Sequence, residues 1–217
     1  MNDSATLGLV ETSVCACDTD QLMSLLPALQ HQNAAETLLA ALNCGIEQAR
    51  KQFKQGTFAL PDFLLAIDAY RMGTAFLKDR FPDAGDRKAP RIVIGVVEGD
   101  VHDMGKNIVA AVLEACGFHV TDLGKNVPNE EFLSAIEAVR PEIVALSTMM
   151  STTLENMNRL IEQVKRSFPD TLILVGGAPF DPELARRMGA DGYAENVITI
   201  PDETRRVLTI ATAKQLT

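Results

Sequence analysis

The residues best placed to do chemistry sit together in the segment Glu98-Gly-Asp-Val-His-Asp-Met-Gly105. Asp100 lies two residues before His102, close enough to accept a proton from one ring nitrogen. The other nitrogen then presents a directed lone pair to a metal. Gly105 allows either the close approach of a large planar ligand or an unusual backbone angle. Asp100 and Asp103 also suit magnesium-dependent phosphoryl transfer. The sequence carries no glycine-rich loop ending in Lys-Ser/Thr, however, and a single imidazole is a poor magnesium ligand. A second polar cluster, Ser147, Ser151, Thr152 and Thr153, either lines a slot or caps a helix. The pair Gly176-Gly177 follows.

Composition narrows the classes. The 217 residues carry a formal charge of -9, with 47% apolar and 23% charged residues. That balance describes a globular chain and lacks the basic footprint of a nucleic-acid binder. No run approaches the roughly 20 apolar residues of a membrane span. The start, MNDSATLGLVETS, has no basic stretch followed by an apolar core, so the expectation is a cytoplasmic protein without a membrane role. Cys15, Cys17, Cys44 and Cys116 do not fall at zinc-finger spacing and read as reduced bystanders.

Two kinds of element must position these residues. Up to about Pro90 the pattern is helical. Asp18 or Thr19 can cap a first helix carrying Leu22, Met23, Leu25 and Leu26, and Asn33 a second with Leu38, Leu39 and Leu42. Asn43-Cys44-Gly45 reads as a break before a third stretch, Ile46 to Phe53, which Gly56 stops. Pro61 suits the first turn of a fourth helix running towards Arg80. The polar, Pro- and Gly-rich stretch from Phe81 to Pro90 reads as a linker. The domains expected are therefore a four-helix unit with linker over 18–88 and a second unit over 89–217.

From there strands and helices alternate. Arg91–Val97, His119–Leu123, Glu142–Leu146, Thr171–Val175 and a short stretch near Ala190–Tyr193 read as strands. Helices are expected over Lys106–Cys116, Asn129–Val139 and Leu154–Ser167, and from Pro182 and Asp202 onward. Five strands alternating with five helices predict an α/β fold, a flavodoxin-like doubly wound five-stranded parallel sheet. Such sheets bind ligands beyond the carboxyl ends of their strands, where strand order reverses. The polar clusters all follow predicted strands.

Asp100-Val-His102-Asp-Met-Gly105 resembles the D-x-H-x-x-G motif of corrinoid-binding domains in methyltransferases and carbon-skeleton mutases. That family continues with S-x-L and G-G at set distances. Here 41 residues separate Gly105 from Ser147, and 26 separate Met149 from Gly176-Gly177. Met149 stands where the family has Leu, a near volume-conserving exchange. The resemblance implies that a cobalamin or another corrinoid binds, its own base displaced from cobalt by His102. Asp100 would orient His102, Ser147 would bond the displaced base, and Ser151 would line the same slot. Thr153 falls where cobalamin-dependent methionine synthases place a serine linked to the Asp-His pair. Val101, Asp103, Met104 and Gly105 would surround the ligand. Gly176 and Gly177 would let its nucleotide tail pass against bare backbone. Tyr193, Ala194, Glu195, Asn196 and Val197 would form a rim against the tail and corrin amides.

Phe53-Lys-Gln-Gly56-Thr-Phe-Ala-Leu-Pro61 is similar to the small helical cap that precedes such domains in methyl-transferring members. Aligned on Pro61, the family's aromatic falls at Ala59, while Phe58 is one position early. The resemblance implies a corrinoid shuttle whose cofactor is methylated in the cycle, and no catalytic residue of the chain's own. Its partners would be a substrate-specific methyltransferase, an acceptor methyltransferase of the thiol or tetrahydrofolate type, and a reductive activator. A cobalamin-binding sensor and a mutase small subunit are the alternatives.

Overall fold

The computed structural model describes residues 3–29, 34–81 and 89–215. They form two compact units. The first takes the described residues before Ala89 together with Ala115–Gly117; the second takes Ala89–Glu114 and the described residues from Phe118 onward.

The first unit contains α1 (Asp3–Cys15), α2 (Thr19–Leu25) with a 3-10 turn Leu26–Ala28, α3 (Ala34–Lys54) and α4 (Leu60–Arg80). Asp18 caps α2 by accepting the Gln21 amide at 2.9 Å. Two expectations are corrected. Helix α1 precedes the expected start at Asp18, in a Thr-, Ser- and Gly-containing stretch of modest helix propensity. Tertiary burial carries it instead, with Val10 and Val14 fully enclosed. Helix α3 also runs unbroken through Asn43–Gly45. Gly45 is no terminator: a Cβ there would lie 2.6 Å from the Glu11 carbonyl oxygen and 2.8 Å from the Val14 Cβ. The missing side chain lets α1 cross α3 at close range.

Helix α3 ends in a Schellman motif. The Thr57 amide bonds the Gln52 carbonyl, the Gly56 amide bonds that of Phe53, and Gly56 has φ +75. Phe53 then stacks on Phe63 of α4, with ring centroids 4.9 Å apart. In this stretch Phe58 is half-buried and Ala59 exposed. The expected cap at Asn33 and most of the expected linker, residues 82–88, lie outside the described residues.

The second unit holds β1 (Arg91–Val96), α5 (Met104–Ala115), β2 (His119–Asp122), α6 (Asn129–Val139), β3 (Ile143–Ser147), α7 (Leu154–Ser167), β4 (Leu172–Gly176), α8 (Pro182–Arg187), β5 (Gly192–Ala194) and α9 (Ile200–Gln215). All strand pairs are parallel, in the order β2-β1-β3-β4-β5. This is the doubly wound sheet that the alternation predicts. Side chains of successive strand residues alternate between faces. Val93 and Val97 therefore join Val144, Leu146, Ile173 and Val175 in one core cluster with Phe132 and Ile136 of α6 and Leu160 and Val164 of α7. Each such side chain, fully buried, contributes about 1.5–3 kcal/mol.

Strand order reverses between β1 and β3. The strand ends line up there: Val96 pairs with Ser147, Ser147 with Gly176, and Gly176 with Ala194. One lateral row thus delivers the loops after β1, β3, β4 and β5 to a common edge.

Candidate functional site

The loop after β1 leaves the sheet through a tight turn. The Asp100 amide bonds the Val97 carbonyl at 3.2 Å, and Gly99 has φ +90, the sign a type II turn needs at its third residue. The turn brings the Asp100 side chain inward, where it is fully buried.

Asp100 accepts four hydrogen bonds. Oδ1 receives the His102 amide at 2.9 Å and faces His102 Nδ1 at 2.7 Å. Oδ2 receives the Thr148 hydroxyl at 2.8 Å and the Met149 amide at 2.6 Å. Burial alone would push this carboxyl up. The His102 and Met149 amides, the Thr148 hydroxyl and the His102 ring outweigh it and hold Asp100 well below the usual carboxylate range. Asp100 is therefore an anion, and an anion facing Nδ1 holds the proton on that nitrogen. Nε2 has no hydrogen-bond partner among the described residues, on a side chain that is 59% exposed.

Thr148 was not among the sequence candidates, because it fills the unspecified middle of the S-x-L triplet. Its one available signal was a second hydroxyl directly after the Ser147 that ends β3. Fully buried, it is the hub of the loop after β3. Its Oγ1 lies 2.5 Å from Thr153 Oγ1 and also accepts the Met150 amide at 3.1 Å. With Thr148 donating to Asp100, Thr153 can donate to Thr148, and the chain Thr153–Thr148–Asp100–His102 is consistent in its protons. Thr153 reaches Asp100 only through Thr148. The helix-capping reading of the cluster drops out, because Ser151–Thr153 form a 3-10 turn and no side chain caps α7. Ser147 is half-buried and its hydroxyl has no partner among the described residues; Ser151 is exposed.

Gly105 has an ordinary backbone angle, which removes one of its two explanations, and a Cβ there would meet nothing within 4 Å. Gly177 has φ +124 and serves the protein's own packing, because a Cβ would fall 1.7 Å from the Thr148 carbonyl oxygen. A Cβ added at Gly176 would meet the Ala194 carbonyl oxygen at an ordinary 3.4 Å. Asp103 pairs with Lys125 at 3.4 Å. Tyr193 and Ala194 lie within β5 rather than after it; the Tyr193 hydroxyl donates to the Phe180 carbonyl at 3.0 Å, and Asn196 Oδ1 accepts the Ile198 and Thr199 amides ahead of α9. Glu195 and Asn196 are exposed, and Ala194 and Val197 are half-buried. Tyr193 and Glu195 also line an open groove of about 750 Å³ with Phe180, Asp202 and Arg206, to which neither His102 nor Asp100 contributes.

Among the described residues no three His, Cys, Asp or Glu side chains gather as a metal would require. A single imidazole suits a metal that brings its other ligands along, as a macrocycle does. The surroundings fit such a group. Val101, Met104 and Met149 expose apolar side chains, Met104 to 78%; Val101 and Met149 lie in the loops that carry His102 and Thr148, and Met104 is the first residue of α5. A flat, largely apolar ligand could cover them.

Comparison with known proteins agrees with this geometry. Residues 90–200 match the B12-binding domain family, and the chain belongs to that family, among the corrinoid proteins. It is 32% identical to a dimethylamine corrinoid protein of Methanosarcina barkeri, over 96% of this chain and 100% of that one. It is 36% identical to trimethylamine corrinoid protein 1 of Methanosarcina acetivorans, over 80% and 82%. A cobalamin-binding protein from Desulfitobacterium hafniense DCB-2 superposes with a TM-score of 0.70 at 28% identity, covering 93% of this chain and 98% of that one. A chain of the methanol:cobalamin methyltransferase complex of M. barkeri shares the fold, with a TM-score of 0.86 at 24% identity over 96% and 81%. Among the described residues no helix is long and apolar enough to cross a membrane.

Proposed function

We propose that His102 Nε2 ligates the cobalt of a corrinoid held at the carboxyl ends of β1, β3 and β4, and that the loaded chain passes methyl groups between two partner methyltransferases. The observation that carries the reading is the 2.7 Å contact between His102 Nδ1 and a buried, ionised Asp100, beside the strand-order reversal.

When bound, the corrinoid supplies a cobalt centre that can take up and release a methyl group; the protein contributes ligation, orientation and exclusion of water. Asp100 keeps the Nδ1 proton in place and raises the basicity of Nε2. Thr148 and the Met149 amide keep Asp100 ionised, and Thr153 supports it through Thr148. Val101, Met104 and Met149 give the ligand an apolar seat, Gly105 leaves room for it, and Asp103 borders it. Ser147 and Ser151 offer hydroxyls to a displaced base, next to the backbone of Gly176 and Gly177. Tyr193, Ala194, Glu195, Asn196 and Val197 form the rim beside β5. The partners are a substrate methyltransferase, an acceptor methyltransferase of the thiol or tetrahydrofolate type and a reductive activator. Methylamines are the donors to assay first, because the relatives above carry those names.

The test is reconstitution with cobalamin and electron paramagnetic resonance of the cobalt(II) form. One cofactor per chain is expected, with splitting from a protein imidazole nitrogen that changes when histidine is labelled with nitrogen-15. Unchanged splitting on labelling, or wild-type splitting in His102→Ala, overturns the assignment.

A further inference from the structure

After β2 ends, residues 123–127 keep running beside the end of β1. The Leu123 amide bonds the Ile94 carbonyl, the Val96 amide bonds that of Gly124, and the Val127 amide bonds that of Val96. Val97 and Val127 form one further parallel bridge. Asn126 sits in this segment with φ +53, a left-handed conformation that Asn tolerates better than most residues.

That conformation aims two groups of one residue at the turn that launches the His102 loop. The Asn126 amide donates to the Asp100 carbonyl at 2.9 Å. Its side-chain Oδ1 accepts the Gly99 amide at 2.7 Å. Asp100 is thereby held at both ends, its backbone by Asn126 and its carboxylate by Thr148 and Met149. Two ion pairs flank the brace. Lys106 Nζ, almost wholly buried, lies 2.6 Å from Asp122 Oδ1, and Lys125 pairs with Asp103.

We propose that Asn126 is a positioning residue for cobalt ligation. Its side-chain carbonyl fixes the Gly99–Asp100 turn and so the orientation in which Asp100 presents His102. The inference rests on His102 being the protein's ligand to cobalt. Because Asn126 is exposed, water can replace its side chain at the Gly99 amide. Losing the side chain then costs loop order rather than folding.

The test uses the full chain. Asn126→Gly keeps access to positive φ and removes only the side chain, while Asn126→Asp restores an acceptor oxygen. In the cofactor-free chain, hydrogen exchange of the Gly99 and His102 amides is expected to speed up several-fold in the Gly variant and to recover in the Asp variant. In the cobalt(II)-loaded chain, the ratio of imidazole-ligated to unligated cobalt is expected to fall about tenfold in the Gly variant, the low end of what an outer partner contributes to a metal site. Asp should restore it. Wild-type exchange and wild-type ligation in Asn126→Gly overturn the proposal, as does a loss that Asp fails to restore. A wild-type chain without imidazole ligation would instead overturn the functional reading, while the exchange measurement still decides the brace.

Discussion

Gly177 lies against the Thr148 backbone so closely that an added Cβ would fall 1.7 Å from the Thr148 carbonyl oxygen and 2.7 Å from its carbonyl carbon. The glycine after β4 thus sets the distance to the loop whose hydroxyl and amide hold Asp100. Gly177→Ala combines backbone strain at φ +124 with a clash against main chain, and is expected to cost about 3–5 kcal/mol. Gly176→Ala meets only an ordinary contact and is expected to cost about 1 kcal/mol or less. Urea unfolding of both variants checks the contrast, and equal losses would contradict it.

Asp100→Asn preserves shape, yet it is not a mild change. Both carboxylate oxygens accept two donors each, so either orientation of the amide turns an N–H towards a donor, at Met149 or at His102. Orphaning a buried amide and removing the anion is expected to cost about 2–3 kcal/mol. Chemical denaturation of the cofactor-free chain measures it. A loss below about 0.5 kcal/mol would mean that the four bonds contribute little.

Thr148→Val keeps volume but removes the hydroxyl shared by Asp100 and Thr153. Thr153 can then donate to the Met150 carbonyl, 2.9 Å away, whereas the Met150 amide loses its acceptor. The expected cost is about 1–2 kcal/mol, with Thr148→Ser near wild type. Thermal unfolding of the three proteins should order them Thr, Ser, Val; a Ser variant as weak as Val would place the effect in packing rather than in the hydroxyl.

At the β5 edge of the sheet, Glu203 chelates Arg206 through two bonds of 2.7 Å and accepts the Tyr193 amide at 3.1 Å. The Arg206 guanidinium, helped by that amide, holds the Glu203 carboxyl below its ordinary value against the opposing effect of burial. A lowered folded-state value makes the contribution fully present above the unfolded value of about 4.3 and lost as pH falls through the folded one. Glu203→Gln is therefore expected to lose on the order of 1 kcal/mol at pH 7 and to show a shallower decline in acid. Urea midpoints at neutral and acidic pH give the comparison, and parallel curves for the two proteins would remove Glu203 from the account.

The sequence alone determined the alternation of strands and helices, because short β-branched apolar runs such as Ile92–Val97, bounded by turn residues, suit strands buried on both faces. It also singled out the Asp100–His102 pair, since two residues of separation suffice for a side chain to reach its neighbour's ring. It did not reveal α1 or the continuity of α3. Those depend on Gly45 meeting Glu11 and Val14 across a helix crossing, which local propensity cannot register. Tertiary structure alone decided the partners of Asp100. Thr148 lies 48 positions away and Asn126 26, and only parallel pairing of β1 with β2 and β3 brings them to one turn. The physical reason is separation. A motif records residues whose spacing along the chain does the work, whereas a buried carboxylate takes its donors from whichever strands the sheet sets beside it.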